Sequence, residues 1–236
     1  KKKYILAMEW YQTDYFKVWK EKLLNKEINI NDAKKISDIL IKKHNHFYNK
    51  SHYRKKFENS KTFYSIRIEP YLIFTSKNYP EQSNKFLDAA ESLSINKKTI
   101  IHGDFSPKNI LVSKNYPVIL DAETACWGDP VFDLAFCNNH IILKSILHDK
   151  YKKNYMLLSQ KFIRNYIQQI RWENKNNYIQ RFLQLLPLLM LARLDGKSPV
   201  DYFKDKHKNK ARLLALTLLG NNPKSINDFF ILWQNV

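Results

Sequence analysis

A mostly helical α+β fold is predicted for this chain of 236 residues: one helical lobe with a small β insert that carries polar loops. Three observations point to it. Apolar residues recur at helical spacing over most of the length, and short β-branched runs gather near the middle. No repeat or low-complexity linker divides the chain. A hydrophobic fraction of 44% is enough to bury a sizeable core.

In order, residues 4–10 (YILAMEW) read as a short strand ending in an acidic, aromatic turn. Helical spacing follows over 14–25 and 30–48, the second through Ile36, Ile39, Leu40 and Phe47, with Asn31 or Asp32 as its expected cap. A basic, aromatic patch, KKHNHFYNKSHYRKKF, comes next. Residues 62–76 and 80–93 read as helices, the latter opening on a proline that a first turn tolerates. The strands are 99–101, 109–112 and 118–120, and the last two are expected to pair through a turn at 114–117. After Pro130 the chain reads as five helices, 131–147, 151–170, 173–194, 204–219 and 225–234.

Only four glycines occur, which argues against a glycine-rich phosphate loop in this stretch. The net charge of +18 comes from lysines scattered along the chain, and we read it as compositional. Cys126 and Cys137 lack metal-ligand spacing and read as reduced thiols. No apolar run reaches the ~20 residues of a membrane span, so the expectation is a cytoplasmic protein without membrane partners.

The chemistry concentrates in IIHGDFSPKNILV, residues 100–112. Asp104 and Asn109 stand five apart between strand-like runs, and Asp121 ends a later run, VIL. Phosphoryl transfer from a nucleotide needs one carboxylate to orient or deprotonate the accepting hydroxyl, and oxygen ligands that hold Mg²⁺ against the phosphates. A loop that starts with an aspartate and ends with an asparagine turns both toward one cleft. A following hairpin would bring Asp121 back beside Asn109, leaving Asp104 for the hydroxyl.

HGDFSPKNILV and the later ILDAETACWGDPVFDLAF together resemble the aminoglycoside phosphotransferase and choline kinase superfamily, whose pattern is H-G-D-x-x-x-x-N, then [IL]-D-x-E, then G-D-P-x-x-D-L-A. MEW at 8–10, RIEPYL at 67–72 and LARLDGKSPVDYF at 191–203 are similar to further members. The resemblance implies the C-terminal lobe of a protein-kinase-like fold. Residues 1–10 would be the end of the N-terminal lobe and the hinge strand, and 11–236 the helical lobe, with catalytic and metal loops at 100–136. It implies ATP and Mg²⁺ as cofactors and a small-molecule hydroxyl, on a metabolite or antibiotic, as phosphoryl acceptor. Asp104 would be the catalytic base, His102 the holder of its loop, Asn109 and Asp121 the metal ligands, and Met8 and Glu9 the adenine-facing hinge. Glu123, Asp129 and Asp133 would support the loop. The chain opens Lys-Lys-Lys-Tyr, and the nucleotide-covering lobe is expected ahead of it; without that lobe, weak ATP binding and little turnover are expected.

Plainer readings stand beside these. Asp129 before Pro130 reads first as a helix cap, and Asp133 as a first-turn acid with bracing as an addition. His44, His46 and His52 read as a solvated basic face rather than a metal site. Phe47, Tyr48 and Tyr53 among lysines could stack a nucleic acid strand, but snorkelling lysines over aromatic packing are the preferred account. Arg67 and Glu69 read as a buried ion pair, and Arg193 and Asp195 as helix-end groups; each pair has acceptor binding as its second reading. The rival to a phosphotransferase is a nucleic-acid-binding or scaffold protein built on a truncated kinase lobe. The complete set of base and metal ligands argues against it.

Overall fold

The computed structural model describes residues 9–236. Met8, and most of the strand expected at 4–10, lie outside the described residues. Two small antiparallel sheets lie against a large helical body. Strand β1 (Lys17–Val18) leads into α1 (Trp19–Leu24). This strand falls where a continuous helix is expected, because Lys17 and Val18 pair with Val112 and Leu111 and delay the helix to Trp19. Helix α2 (Ile30–Phe47) is capped by the Asn29 side chain, which accepts from the Asn31 amide. The cap thus precedes both expected candidates; Asp32 is buried and accepts instead from Lys22, at 3.1 Å. The patch that follows contains a short helix, α3 (Ser51–Lys56).

The helix expected at 62–76 is real but irregular. It runs as α4 (Ser60–Phe63), a π-helical stretch (Tyr64–Ile73) and α5 (Phe74–Ser76). Pro70 supplies the reason: it has no N–H for the Ile66 carbonyl, and its ring crowds that oxygen in an α-helix. The wider turn relieves the clash, and the Arg67 guanidinium donates to the Ile66 carbonyl at 2.9 Å. A 3₁₀ turn at Pro80–Gln82 then opens α6 (Ser83–Ile95).

Strands β2 (Thr99–Ile101), β3 (Ile110–Val112), β4 (Val118–Ile119) and β5 (Cys126–Gly128) complete the sheets. One sheet has the order β1-β3-β4; the other pairs β2 with β5, Ile100 opposite Trp127. The polar loop after β2 is therefore not carried on a hairpin. It bridges two different sheets, and both of its ends are fixed independently.

Helices α7 (Val131–Leu147), α8 (Lys152–Gln168), α9 (Lys175–Asp195), α10 (Asp205–Asn221) and α11 (Ile226–Asn235) form the rest. Helix α7 is buried almost all round and packs on α8, α9 and α10. Its sequence, VFDLAFCNNHIILKSIL, spreads apolar residues round the whole helix, as a central core helix must, with Asp133, Asn138, Asn139 and Lys144 as buried polar exceptions. The face of α2 made by Ala33, Ile36, Leu40 and Ile41 packs on α8, where Ser37 also donates to the Phe162 carbonyl at 3.0 Å. Each large apolar side chain buried this way stabilises the lobe by roughly 1.5–3 kcal/mol. Among the described residues no helix is long and apolar enough to cross a membrane.

Candidate active site

Residues 102–109 leave β2 and end in a 3₁₀ turn (Pro107–Asn109) that feeds β3. Asp133, in the first turn of α7, holds this loop from behind. Its carboxylate accepts from the His102 amide at 2.6 Å and the Gly103 amide at 3.0 Å. His44 from α2 adds a contact from Nε2 at 3.2 Å, and its Nδ1 meets the Tyr166 hydroxyl at 2.5 Å. His44 is fully buried, which corrects its reading as part of a solvated face; His46 and His52 are exposed. Burial opposes ionisation of Asp133, but the hydrogen bonds from His44 and His102, with the nearby imidazoles, hold its carboxyl below the usual range.

Gly103 has φ +75°, and a Cβ there would lie 2.6 Å from the Thr124 carbonyl oxygen. The Thr124 hydroxyl donates to the His102 carbonyl at 2.7 Å, and Arg67 Nε donates to the Gly103 carbonyl at 2.6 Å. Gly103→Ala is expected to cost roughly 1–3 kcal/mol from backbone strain, with the Thr124 clash added. A thermal melt checks it; an unchanged midpoint would remove the close approach as a constraint.

His102 is buried, with Nε2 donating to the Leu120 carbonyl at 2.9 Å and Nδ1 accepting from the Asp104 amide at 3.3 Å. That pattern requires the neutral ring. Burial pushes the imidazoles of both His44 and His102 below their ordinary value, against the pull of Asp133. The unfolded chain therefore takes up protons near pH 6.5 that the folded protein refuses. Stability is fully present above that pH and is lost as pH falls below it, by up to about 1.4 kcal/mol per pH unit for each histidine. Urea titrations between pH 8 and 5 test this: a flat profile is incompatible with two neutral buried rings.

Asp104 lies at the loop's crown. One carboxylate oxygen meets Arg67 Nη2 at 3.3 Å; the other accepts from Lys108 at 2.9 Å and from Asn109 Nδ2 at 3.0 Å. Asn109 Nδ2 also donates to the Asp104 carbonyl at 3.0 Å. The structure thus joins Asp104 and Asn109 directly and leaves the Asn109 side-chain oxygen as a hard donor. Strand β4 pairs with β3 (Ile110 opposite Ile119), and the Leu120 amide donates to the Asn109 carbonyl at 2.9 Å. The next residue, Asp121, is exposed and left-handed at φ +61°. Among the described residues its carboxylate has no hydrogen-bond or ion-pair partner. Glu123 is exposed on the same turn.

These oxygens suit Mg²⁺, which takes one or two protein side chains and completes its shell with water and phosphate. No group of three His, Cys, Asp or Glu able to hold a metal occurs among the described residues.

The remaining sequence candidates separate. Asp129 is buried; it accepts from the Val131 amide at 3.0 Å and pairs with Arg181, which also binds Glu173. The expected Arg67–Glu69 pair is absent: Arg67 turns to Asp104, while Glu69 pairs with Lys197 at 2.8 Å. Asp195 is bound by Arg212 and by the Tyr79 hydroxyl. Arg67 and Arg193 line a cavity of about 210 Å³ beside Asp104; Glu69 and Asp195 do not. Glu9 is exposed and accepts from the Tyr11 hydroxyl at 2.8 Å. A larger cavity, about 380 Å³, lies between α6, α9 and α10, away from the loop.

Several residues of the site were not anticipated: Thr124, Tyr166, Lys108 and Arg181. Lys108 could have been found, since it stands four after Asp104, one turn away; the others carry no local signal.

Residues 79–146 match the model of the phosphotransferase enzyme family (APH), a span that contains the whole loop and the start of α7. No curated protein matches the chain.

Proposed function

Taking its resemblance to the aminoglycoside phosphotransferase and choline kinase superfamily as premise, we propose that the chain is the C-terminal lobe of an ATP-dependent small-molecule kinase. Residues 1–10 would end an N-terminal lobe and form the hinge, with Met8 and Glu9 facing the adenine, and 11–236 the helical lobe. The observation that carries this reading is the contact between Asn109 and Asp104, the latter lining a cavity, on a loop pinned by Asp133.

In the proposed reaction the acceptor hydroxyl oxygen bonds to the γ-phosphorus of ATP as the bond to the bridging oxygen breaks, and ADP leaves. Asp104 orients the hydroxyl and takes its proton. Asn109 and Asp121 would hold Mg²⁺, which neutralises charge on the phosphates, with Glu123 beside them. His102 and Asp133 keep the loop in place, and Asp129 with Arg181 anchors the start of α7. Arg67 and Lys108 hold the Asp104 carboxylate toward the cavity.

Asp121→Asn in the intact protein is expected to weaken Mg²⁺-dependent nucleotide binding by roughly 10–100-fold, the scale seen when groups around a metal are removed. Calorimetric titration with Mg²⁺ and a non-hydrolysable ATP analogue reads this. Equal affinity for both proteins, or binding indifferent to Mg²⁺, would sink the metal assignment.

A further inference from the structure

The cavity beside Asp104 is built to receive negative charge. Five cations line it: Lys20, Arg67, Lys108, Lys144 and Arg193. Two carboxylates do so, Asp104 and Asp201, so basic side chains outnumber acidic ones by three. Arg67 and Lys108 are already paired with Asp104. Among the described residues no ion pair engages Lys20, Lys144 or Arg193.

Lys144 is the most unusual of these, an ammonium buried on a core helix at 1% exposure. Among the described residues it donates to the His140 carbonyl one turn back, at 3.3 Å, and its Nζ lies 5.6 Å from the centre of the Tyr202 ring. Burial, with Lys20 and Arg193 nearby, pushes it down to about 7. A buried ammonium without a counter-charge tends to give up its proton, and a bound anion would restore its charged form.

A second, independent observation concerns hydrogen bonds. Among the described residues three polar atoms on residues lining this cavity are buried without a partner: Arg193 Nε, the Tyr202 hydroxyl and the Ser106 hydroxyl. All three are able to donate, and such groups ordinarily find acceptors. Oxygen acceptors carrying negative charge would satisfy them and the unpaired cations together. Asn109 and Asp121 do not line the cavity, although Asn109 touches Asp104, which does.

We infer that the acceptor is an acidic metabolite, carrying a carboxylate or phosphate beside the hydroxyl that is phosphorylated, and that Lys144 and Arg193 seat that anion. The inference deepens the kinase reading and rests on it for the transfer step alone. A cationic amino sugar or a quaternary ammonium alcohol would meet repulsion in this pocket.

The test uses the intact protein with ATP and Mg²⁺ and two matched sets of hydroxyl compounds. They are glycerol, D-glycerate and glycerol 3-phosphate, then glucose, gluconate and glucose 6-phosphate, with choline and kanamycin as cationic comparisons. Binding is read in parallel by calorimetry, using D-glycerate, gluconate and inorganic phosphate without nucleotide. Millimolar or tighter binding of at least one anion is expected, weakened at least tenfold by Arg193→Gln or Lys144→Met, partly restored in Arg193→Lys, and unchanged in Asp121→Asn. Transfer to acids should exceed transfer to their neutral counterparts, with the two substitutions raising KM more than they lower kcat. The carboxylate and phosphate arms identify the anion. Equal transfer to neutral or cationic compounds overturns the proposal, as does anion binding that survives both substitutions in folded protein, or no anion binding at all. Anion binding that depends on Lys144 but is accompanied by no transfer to any compound would uphold the anion seat and count against the kinase reading.

Discussion

Asp104→Asn in the intact protein is expected to lower kcat for phosphoryl transfer by about 10²–10⁴-fold, the range for loss of a positioned general base. Mg²⁺-nucleotide affinity should change little. Asparagine keeps the size of the side chain, and its oxygen still accepts from Asn109 Nδ2 or Lys108. What disappears is the negative charge and the site for the hydroxyl proton. Two cations, Arg67 and Lys108, then lose their counter-charge, so a modest fall in stability accompanies the change and a thermal melt must be run beside the kinetics. A variant within tenfold of the parent rate, with a competent acceptor, would mean that the hydroxyl proton goes elsewhere.

Asp133→Ala is expected to destabilise the lobe by roughly 3–5 kcal/mol, the largest single effect on folding foreseen here. Three donors converge on this carboxylate: the amides of His102 and Gly103 and the His44 ring. Alanine leaves all three buried without an acceptor, and each such orphan costs about 1–3 kcal/mol. Asparagine is no remedy, because its NH₂ would confront one of the same donors. Urea denaturation measures the loss. Activity should fall with it even under conditions where the protein stays folded, since the loop carrying Asp104 is held by these bonds. A loss below about 1 kcal/mol would mean that water or a neighbouring oxygen replaces the carboxylate.

Some of this was legible from residue order, and the reasons are instructive. The Asp104–Asn109 contact follows from spacing along one short loop, and helix α7 from its periodic apolar residues. His44 was legible too, had periodicity been followed rather than local composition. Ala33, Ile36, Ser37, Leu40, Ile41 and His44 fall on one buried helical face, while Lys42 beside them is exposed. The expected Arg67–Glu69 pair conflicts with helix geometry, in which residues two apart do not face each other. Glu69 finds Lys197 and Arg67 finds Asp104, both distant in the chain. Strand β5 escaped because three residues ending in glycine carry no alternation; only its pairing with β2 makes it a strand. Lys144 was not singled out: it is a lone charge in IILKSIL, and its neighbours on α1, α9 and the loop after α9 are brought there by the tertiary fold alone.

The π-helical stretch has a consequence for how relatives of this chain should be compared. A π turn holds one more residue than an α turn, so it amounts to a single-residue insertion absorbed within a helix. Deleting one residue between Tyr64 and Ile73 would swing what precedes it by about a quarter turn relative to α5, about 100° at 3.6 residues per turn. Where the deletion falls after Arg67, that side chain would leave Asp104 although the 102–109 loop itself is unchanged. A gap of one position after Arg67 is therefore a marker of a lost Arg67–Asp104 contact, and alignments that smooth such gaps away will hide it.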